Sequence, residues 1–509
     1  MLQDARQFGQ KLVRRRPLGP REETEHHMAG CLNTLDLVII GVRRMLGAGV
    51  HILVGTVAKY IAGPAIVLSF LVAALSSLLS GFCYIEFGAR VPSSGSMYLY
   101  SYTIMGQVYG FIIGWNRILS LTVGTACIAR AWSYTFDSLT GNHISRGLEG
   151  TFSLYMPYYL AKYPDFFALG LVLLLMGLLV LGVHVLPQVN KVFMGINISV
   201  LSFIIVSGFI KGDLHNWKLT EQDYPLNTSE SNDIYSLLNT MFAMSWLIYT
   251  MAEDGLLFRF LAQINARTRT HIKVIMISGI FAGVLALLFH FSDLMDLMSL
   301  RSLLANLVVD FSVLVLRYHS DQNLSKNQKT EEESEMELVV KERSLDPVPE
   351  ANISRNLKSL WFPASTIPTR TSGQIVYGCA IVLVLLLIIL SLILYRWPSQ
   401  VFSGDPVLTT VAVLLLLLIT GVTAIIWRQP QDPTALHFRV PALPFLPLVS
   451  IFVNIYLMVH MTTWTWVLFG IWMGIGFAIY FGYGIRHKLE ENTEQHTGLH
   501  LPNAGQKHP

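Results

Sequence analysis

The chain has 509 residues, of which 52% are hydrophobic and only 14% are charged, and its mean hydropathy is +0.49. Soluble domains carry about 25% charged residues, and a net charge of +3 is far from the basic footprint of a nucleic-acid-binding protein. The four cysteines form no C-x-x-C pair, so neither a disulfide scaffold nor a zinc or redox site is indicated. The composition therefore indicates a membrane protein.

Long apolar stretches predict twelve membrane-spanning helices. A helix needs about 20 apolar residues to cross a hydrocarbon core, and these stretches lack the alternation that barrel strands show. The stretch 234–252 has the fewest strongly apolar residues. The predicted spans are 35–58, 64–85, 106–129, 166–186, 192–210, 234–252, 274–291, 295–316, 374–395, 407–427, 443–461 and 465–484. The predicted fold class is all-α, a polytopic membrane helix bundle.

The distribution of Lys and Arg predicts that both termini are cytosolic. Segment 1–34 is basic, whereas the predicted outer loop 211–233 collects acidic residues, and basic residues favour the cytosolic side. The sequon at Asn227 lies in that outer loop, where it predicts glycosylation. The sequons at Asn323 and Asn352 lie on the predicted cytosolic side and are expected to stay unmodified.

Enzyme motifs are absent from the sequence. There is no P-loop, no H-E-x-x-H and no G-x-S-x-G, and the histidines do not cluster at ligand spacing. We therefore expect neither an enzyme nor a metal site.

The first span contains the consecutive small residues Gly47, Ala48 and Gly49. They would let the helix unwind at mid-span, and a helix that restarts there directs N–H groups at an anion such as a substrate carboxylate. Alternatively, the small residues serve only close packing between helices.

Several charged residues fall inside predicted spans, where charge is costly and usually functional. Asp310 could neutralise Arg43 or Arg44 across the bundle. In the alternative interpretation, the adjacent arginines are defects tolerated by a protein that no longer transports. The charged positions are Asp36, Arg43, Arg44, Arg117, Arg301 and Asp310.

Six sequence blocks together closely resemble the cationic amino acid transporters of the amino acid–polyamine–organocation superfamily. The resemblance extends from about residue 30 to about residue 490. The blocks are GARVPSSGSMYLYSY (88–102), GTACIARAW (124–132), YPDFFALGLVLLL (163–175), SGFIKGDLHNWKLTEQDY (207–224), MAEDGLLFR (251–259) and VPALPFLPLVSIFVNIYLM (440–458).

The resemblance implies a core of ten helices in two inverted repeats, followed by four further helices. It also implies facilitated diffusion of arginine, lysine and ornithine across the plasma membrane, without a cofactor. Gly47, Ala48 and Gly49 match the first-helix break that binds the substrate α-carboxylate, and Ser120 matches a pocket-lining position. Asn197 falls where distant relatives place a cation-site lysine.

The resemblance also implies how the chain is divided. The predicted parts are a cytosolic tail (1–34), a permease-like transport core (35–316), a cytosolic polar loop (317–373), a four-helix membrane region (374–484) and a second cytosolic tail (485–509).

The chain departs from the family most clearly between Leu238 and Asn239. There the sequence passes from the outer loop to what resembles the family's eighth helix, so the sixth and seventh helices are predicted to be missing. Losing two spans preserves the orientation of everything downstream. The sixth helix supplies half of the substrate site in the family. Charged residues also replace small or uncharged family residues at Arg43, Arg44, Arg301 and Asp310.

Three functions therefore stay open from the sequence. The first is transport of cationic amino acids. The second is a shortened or diverged family member without transport, which acts only through association with a full-length relative. The third is transport of an anionic or neutral amino acid, with Arg43 or Arg44 as a counter-charge. The expected partners are the amino acid and the lipid bilayer, with no nucleic acid, and the oligomeric state is open.

Overall fold

A computed structural model of the chain describes residues 63–90, 97–152, 160–181, 187–211, 234–263, 271–318, 370–403, 406–432 and 438–484, together with a few single positions. Within these ranges the regular structure is helical and no strand occurs. The helices are α1 (Ile66–Ala89), α2 (Met97–Ile104), α3 (Gln107–Leu139), α4 (His143–Phe152), α5 (Phe166–Val180), α6 (Pro187–Lys211), α7 (Ile234–Glu253), α8 (Ile272–Leu288), α9 (Phe291–Leu316), α10 (Arg370–Arg396), α11 (Pro398–Phe402), α12 (Pro406–Arg428), α13 (Phe445–Val459) and α14 (Thr463–Ile479).

The helices confirm the predicted fold class. Every predicted span from 64–85 onward overlaps a helix in the described part of the chain, including 234–252, which overlaps α7. The predicted span 35–58 lies almost entirely outside the described residues. Within the described part of the chain, six helices are long and apolar enough to cross a membrane, and four shorter apolar helices accompany them. The long ones are α1, α3, α9, α10, α12 and α14 with the π-helical turn that follows it, Tyr480–Gly484.

Helix α3 continues ten residues beyond the predicted span 106–129. The predicted span ended one residue before Arg130. In the structure the Arg130 side chain is only 1% exposed. Its Nε donates a hydrogen bond to the Ala286 carbonyl (2.6 Å), and Nη2 donates to the Leu287 carbonyl (3.1 Å). The helix therefore continues, because the guanidinium finds acceptors inside the protein.

Asp165 completes this arrangement from the start of α5. Its carboxylate lies 3.8 Å from Nε of Arg130. The other oxygen, Oδ1, accepts from Ser133 Oγ (2.8 Å) and from the Ala168 backbone N–H (2.9 Å), which caps α5. One ion pair thus joins α3, the beginning of α5 and the end of α8.

The described residues fall into two compact units. The first is built within 93–302 and 462–509, together with the beginning of α1, and the second within 73–92 and 303–461. In the first unit α3 packs against α7, α5 and α8. Helices α5 and α8 meet at glycines: a Cβ at Gly279 would lie 2.7 Å from Met176 Sδ, and one at Gly283 would lie 2.8 Å from a Leu169 methyl. Small residues of this kind allow close helix crossings in membranes.

Aromatic side chains join α3 to α14 in the same unit. The rings of Trp115 and Trp472 stack with centroids 4.4 Å apart, and Trp115 Nε1 donates to the Trp472 carbonyl (3.0 Å). Phe281 of α8 stacks on the other side of Trp472 (5.6 Å). The C-terminal helix is therefore fixed to α3 by ring contacts as well as by a hydrogen bond.

The second unit contains α10, α12 and α13, with most of α1 and the end of α9. Two apolar clusters form its core. One contains Leu387, Ile451 and Ile455, and the other contains Leu390, Ala412 and Leu415. The second unit also contains two buried polar clusters on α1, which are described below.

Candidate functional site

A polar stripe runs along the buried face of α3. Asn116, Ser120 and Gly124 are spaced four residues apart, so they lie on one face of the helix. Ser120 is 6% exposed and Asn116 is 5% exposed. Asn116 Nδ2 donates to the Ile112 carbonyl (2.9 Å), whereas its buried Oδ1 accepts no hydrogen bond from any described residue. The stripe therefore offers a buried acceptor next to the hydroxyl of Ser120.

Helix α7 lies beside this part of α3. Thr240 Cγ2 would be 3.8 Å from a Cβ at Gly124, and Thr122 Oγ1 is 3.0 Å from Met244 Sδ. The two helices are in contact around the stripe because their facing residues are small or flexible. The sequence analysis singled out Ser120 through the family resemblance and missed Asn116. The signal for Asn116 was a lone amide in an apolar span, one turn before Ser120.

Most other predicted site residues lie outside the part of the chain that the structure describes. These are Gly47, Ala48, Gly49, Arg43, Arg44 and the predicted glycosylation site Asn227. Asn197 lies on α6, and its side chain is also outside the described residues. The structure therefore leaves the predicted first-helix break and the Asn197 position as predictions.

Three of the predicted intramembrane charges are described. Arg117 on α3 is exposed. Arg301 on α9 is 9% exposed, and its guanidinium donates to Ser302 Oγ. Asp310 is fully buried in the second unit. The predicted partners of Asp310, Arg43 and Arg44, lie outside the described residues, so that pairing stays a prediction.

A second buried carboxylate, Glu86, lies in the last turn of α1, one residue beyond the predicted span 64–85. It is 0% exposed. Arg317 Nη1 donates to Oε2 (2.7 Å), Arg90 Nη2 donates to Oε1 (3.2 Å), and the Val440 backbone N–H donates to Oε2 (2.7 Å). Arg90 also lies 3.9 Å from the carboxylate of Asp432. Glu86 thus joins the end of α1 to the end of α9 and to the segment before α13.

Further hydrogen bonds link the segments around Glu86. The Asp432 backbone N–H donates to the Arg317 carbonyl (2.9 Å). Gln431 Nε2 donates to the Tyr318 hydroxyl (3.4 Å), and burial raises the pKa of that hydroxyl to about 12. Removing one partner of such a buried ion pair typically costs about 3–5 kcal/mol because it strands the other charge.

The helices and these polar groups invite comparison with known proteins. The family model described as "Amino acid permease" matches residues 32–235, and the model described as "C-terminus of AA_permease" matches residues 438–488. "Cationic amino acid transporter 4" of Homo sapiens is 30% identical over 592 aligned residues, which cover 95% of this chain and 92% of the relative. The Mus musculus protein of the same name is 30% identical over 594 aligned residues, covering 96% and 92%. "Cationic amino acid transporter 2, vacuolar" of Arabidopsis thaliana is 27% identical over 623 aligned residues, which cover 98% of this chain and 96% of the relative.

The helical membrane architecture and these matches define an amino acid permease, a multi-pass membrane protein of a transporter class. Within that class, the chain belongs to the family of the cationic amino acid transporters. The predictions of the family and of a protein that is not an enzyme are therefore confirmed.

Proposed function

We propose that this chain transports cationic amino acids, namely arginine, lysine and ornithine, across the plasma membrane by facilitated diffusion. The observation that carries the proposal is similarity along almost the whole chain to relatives named cationic amino acid transporters. The buried polar stripe of α3 supports it, because a polar face inside an apolar bundle is what a hydrophilic substrate requires.

The substrate would be bound by two sets of groups. The predicted break at Gly47–Gly49 would present free backbone N–H groups to the α-carboxylate, as broken helices do in transporters. Ser120 and Asn116 offer a hydroxyl and an amide oxygen to the ammonium end of the amino acid. Asn116 Oδ1 is suited to this role because it has no donor among the described residues.

Uptake of labelled arginine in cells expressing the full chain tests the proposal, with surface biotinylation of the same cells. We expect saturable uptake above that of mock-transfected cells. Ser120→Ala should lower kcat/KM for arginine about three- to tenfold, the equivalent of one hydrogen bond. The matched control is Thr125→Val on the same helix, because Thr125 is equally buried and its hydroxyl donates to its own helix at the Leu121 carbonyl (2.8 Å). Equal uptake by the two variants would remove Ser120 from the site.

A second candidate function is a shortened family member without transport, which acts through association with a full-length relative. The match to the permease model ends at residue 235, three residues before the position where the sixth and seventh helices are predicted to be missing. The alignment with the human relative has 592 positions whereas this chain has 509 residues, so the relative contains segments that this chain lacks. Both facts favour an incomplete substrate site.

The same assay distinguishes the two functions. Protein at the cell surface with no uptake of arginine, leucine or glutamate would favour the second candidate, whereas glutamate or leucine uptake alone would favour the altered-substrate alternative. A chimera that carries the relative's two additional helices between Leu238 and Asn239 provides the positive control. Arginine uptake by the chimera but not by the native chain would identify the missing helices as the cause.

Location needs its own measurement, because two relatives are named as vacuolar and one as mitochondrial. We propose the plasma membrane. Biotinylation of intact cells should label the chain, and labelling confined to permeabilised cells would contradict this proposal.

A further inference from the structure

Four polar side chains form a buried cluster in the second unit, which we call the Asp310 cluster. It consists of Ser80 on α1, Asp310 on α9, and Ser450 and Asn454 on α13. Their exposed fractions are 1%, 0%, 1% and 0%. The cluster lies within helices that are apolar enough to span a membrane or nearly so, where an ionisable side chain is a candidate functional group.

The three hydrogen bonds that hydroxyl and amide groups donate to the Asp310 carboxyl group converge on one oxygen. Oδ2 accepts from Ser450 Oγ (2.6 Å), from Asn454 Nδ2 (3.2 Å) and from Ser80 Oγ (3.3 Å). The two serine hydroxyls are also 2.8 Å apart. The donors of the cluster are therefore engaged at Oδ2.

The cluster has two buried acceptors without a donor. Oδ1 of Asp310 and Oδ1 of Asn454 receive no hydrogen bond from any described residue. In an ionised carboxylate Oδ1 would carry about half of the negative charge, and burying such charge without a partner costs several kcal/mol. An additional proton bound to the carboxyl group would remove this buried charge.

No cation balances Asp310 among the residues that the structure describes. This distinguishes it from Glu86, which is equally buried on α1 but is paired with Arg317 and Arg90. Cys83 of α1 contacts Asp310 and adds no positive charge. The other titratable residues on the helices of this cluster are Tyr84, Glu86, Asp293, Asp296, Arg301 and Tyr456. Those on α10, whose Tyr377 contacts Phe311, are Arg370, Tyr377, Cys379, Tyr395 and Arg396.

The spacing of the oxygens favours a proton over a metal cation. Oxygens that share a cation at about 2.4 Å lie about 3.4 Å apart when they bind it at right angles. Ser450 Oγ is 2.6 Å from Asp310 Oδ2 and 2.8 Å from Ser80 Oγ, which are direct hydrogen-bond distances.

We propose that the Asp310 cluster is an intramembrane proton-binding site, in which the Asp310 carboxyl group of the folded protein holds a proton at neutral pH. The bound proton makes the carboxyl group neutral and allows the buried network to exist without a counter-charge. The site is separate from the proposed transport function, since its argument uses neither the substrate nor Ser120.

Asp310→Asn tests the proposal, because an amide has the size and charge of a protonated carboxyl group. Unfolding of the full chain in mixed micelles is measured from pH 5.5 to pH 8.5. An aspartate in an unfolded chain ionises near pH 4, so the folded wild type would hold one proton more than its unfolded form. Stability then falls as pH rises, and the wild-type folding constant should fall up to tenfold more per pH unit than that of D310N.

Infrared spectroscopy provides a direct readout of the same group. A protonated carboxyl group has a carbonyl stretching band that a carboxylate lacks. We expect this band in the wild type at pH 7 and its loss in D310N. Glu86→Gln is the matched control, because it removes an equally buried but ion-paired carboxylate. That variant should keep the band and should be less stable than the wild type at every pH tested.

Three outcomes would overturn the proposal. The first is that the stability of the wild type and that of D310N depend equally on pH and that D310N keeps the infrared band. The second is failure of D310N to fold. An amide can replace a neutral carboxyl group, but it cannot replace a carboxylate that balances a cation such as Arg43 or Arg44. The third is stabilisation of the wild type, but not of D310N, by sodium chloride relative to choline chloride at pH 8.5, which would identify a sodium site. None of these outcomes depends on whether the chain transports an amino acid.

Discussion

At the scale of single residues, the contact between Gly476 and Trp115 shows how little space separates α3 from α14. A Cβ at Gly476 would lie within 3 Å of the buried indole ring of Trp115. The indole cannot retreat easily, because it also stacks on Trp472 and donates to its carbonyl. A single methyl group therefore overpacks this interface.

Gly476→Ala should lower the free energy of unfolding by about 1–3 kcal/mol, the usual cost of overpacking. The measurement is thermal unfolding of the purified chain in detergent. Gly474→Ala is the control, since a Cβ there meets nothing within 4 Å and alanine favours a helix over glycine. Equal melting temperatures for the two variants would contradict the predicted overpacking.

The residues of the candidate site were only partly predictable from the sequence. Ser120 could be found through the family resemblance, and its burial fits the predicted role. The partners of Asp310 could not be found, because Ser80 is 230 residues and Ser450 is 140 residues away in sequence. No local pattern carries such contacts.

At the scale of helices, the end of α8 depends on a side chain from another helix. The carbonyl groups at the end of a helix find no N–H donor within that helix. Arg130 of α3 donates to two of them, at Ala286 and Leu287, and pairs with Asp165. This one guanidinium therefore joins the interior of α3 to two helix ends, the end of α8 and the beginning of α5.

Arg130→Met should destabilise the protein by about 3–5 kcal/mol, because it leaves Asp165 as an uncompensated buried charge and removes both carbonyl contacts. Lys162→Met is the control. Lys162 also belongs to an ion pair, with Glu149 at 3.6 Å, but its side chain is 75% exposed, so we expect little change. Unfolding in a denaturing detergent series measures both, and a stable Met variant would show that Arg130 is dispensable.

The helices themselves were largely predictable because hydropathy alone defines a span. Their ends were less so. The sequence placed the end of the third span at residue 129, and Arg130 then continued the helix by bonding to carbonyls of α8. Glu86 extended α1 in a similar way through Arg317. A charged residue that follows an apolar stretch therefore does not mark the end of the helix when a partner for its charge lies within reach.

At the scale of the whole molecule, the predicted orientation depends on the bias of Lys and Arg. It places Asn227 outside the cell and Asn323 and Asn352 inside. Treatment with a glycosidase should increase the electrophoretic mobility of the wild type, and Asn227→Gln should abolish this shift. Asn323→Gln and Asn352→Gln are matched controls and should leave it unchanged. A shift that persists in N227Q would contradict the predicted topology.

The number of spans that the chain lacks relative to its family could not be predicted from hydropathy or charge. Hydropathy counted the spans that are present, but only the family resemblance indicated that two are missing. The predicted loss of two spans would preserve the alternation of sides, so the charge bias would carry no record of it.

The stacked indoles of Trp115 and Trp472 have a further consequence. Two buried indoles held 4.4 Å apart in one arrangement should contribute to the near-ultraviolet circular dichroism signal. Such signals vanish when tertiary packing is lost while helices persist. The protein therefore carries an intrinsic optical reporter of the docking of its C-terminal helix, which requires neither a label nor a known ligand.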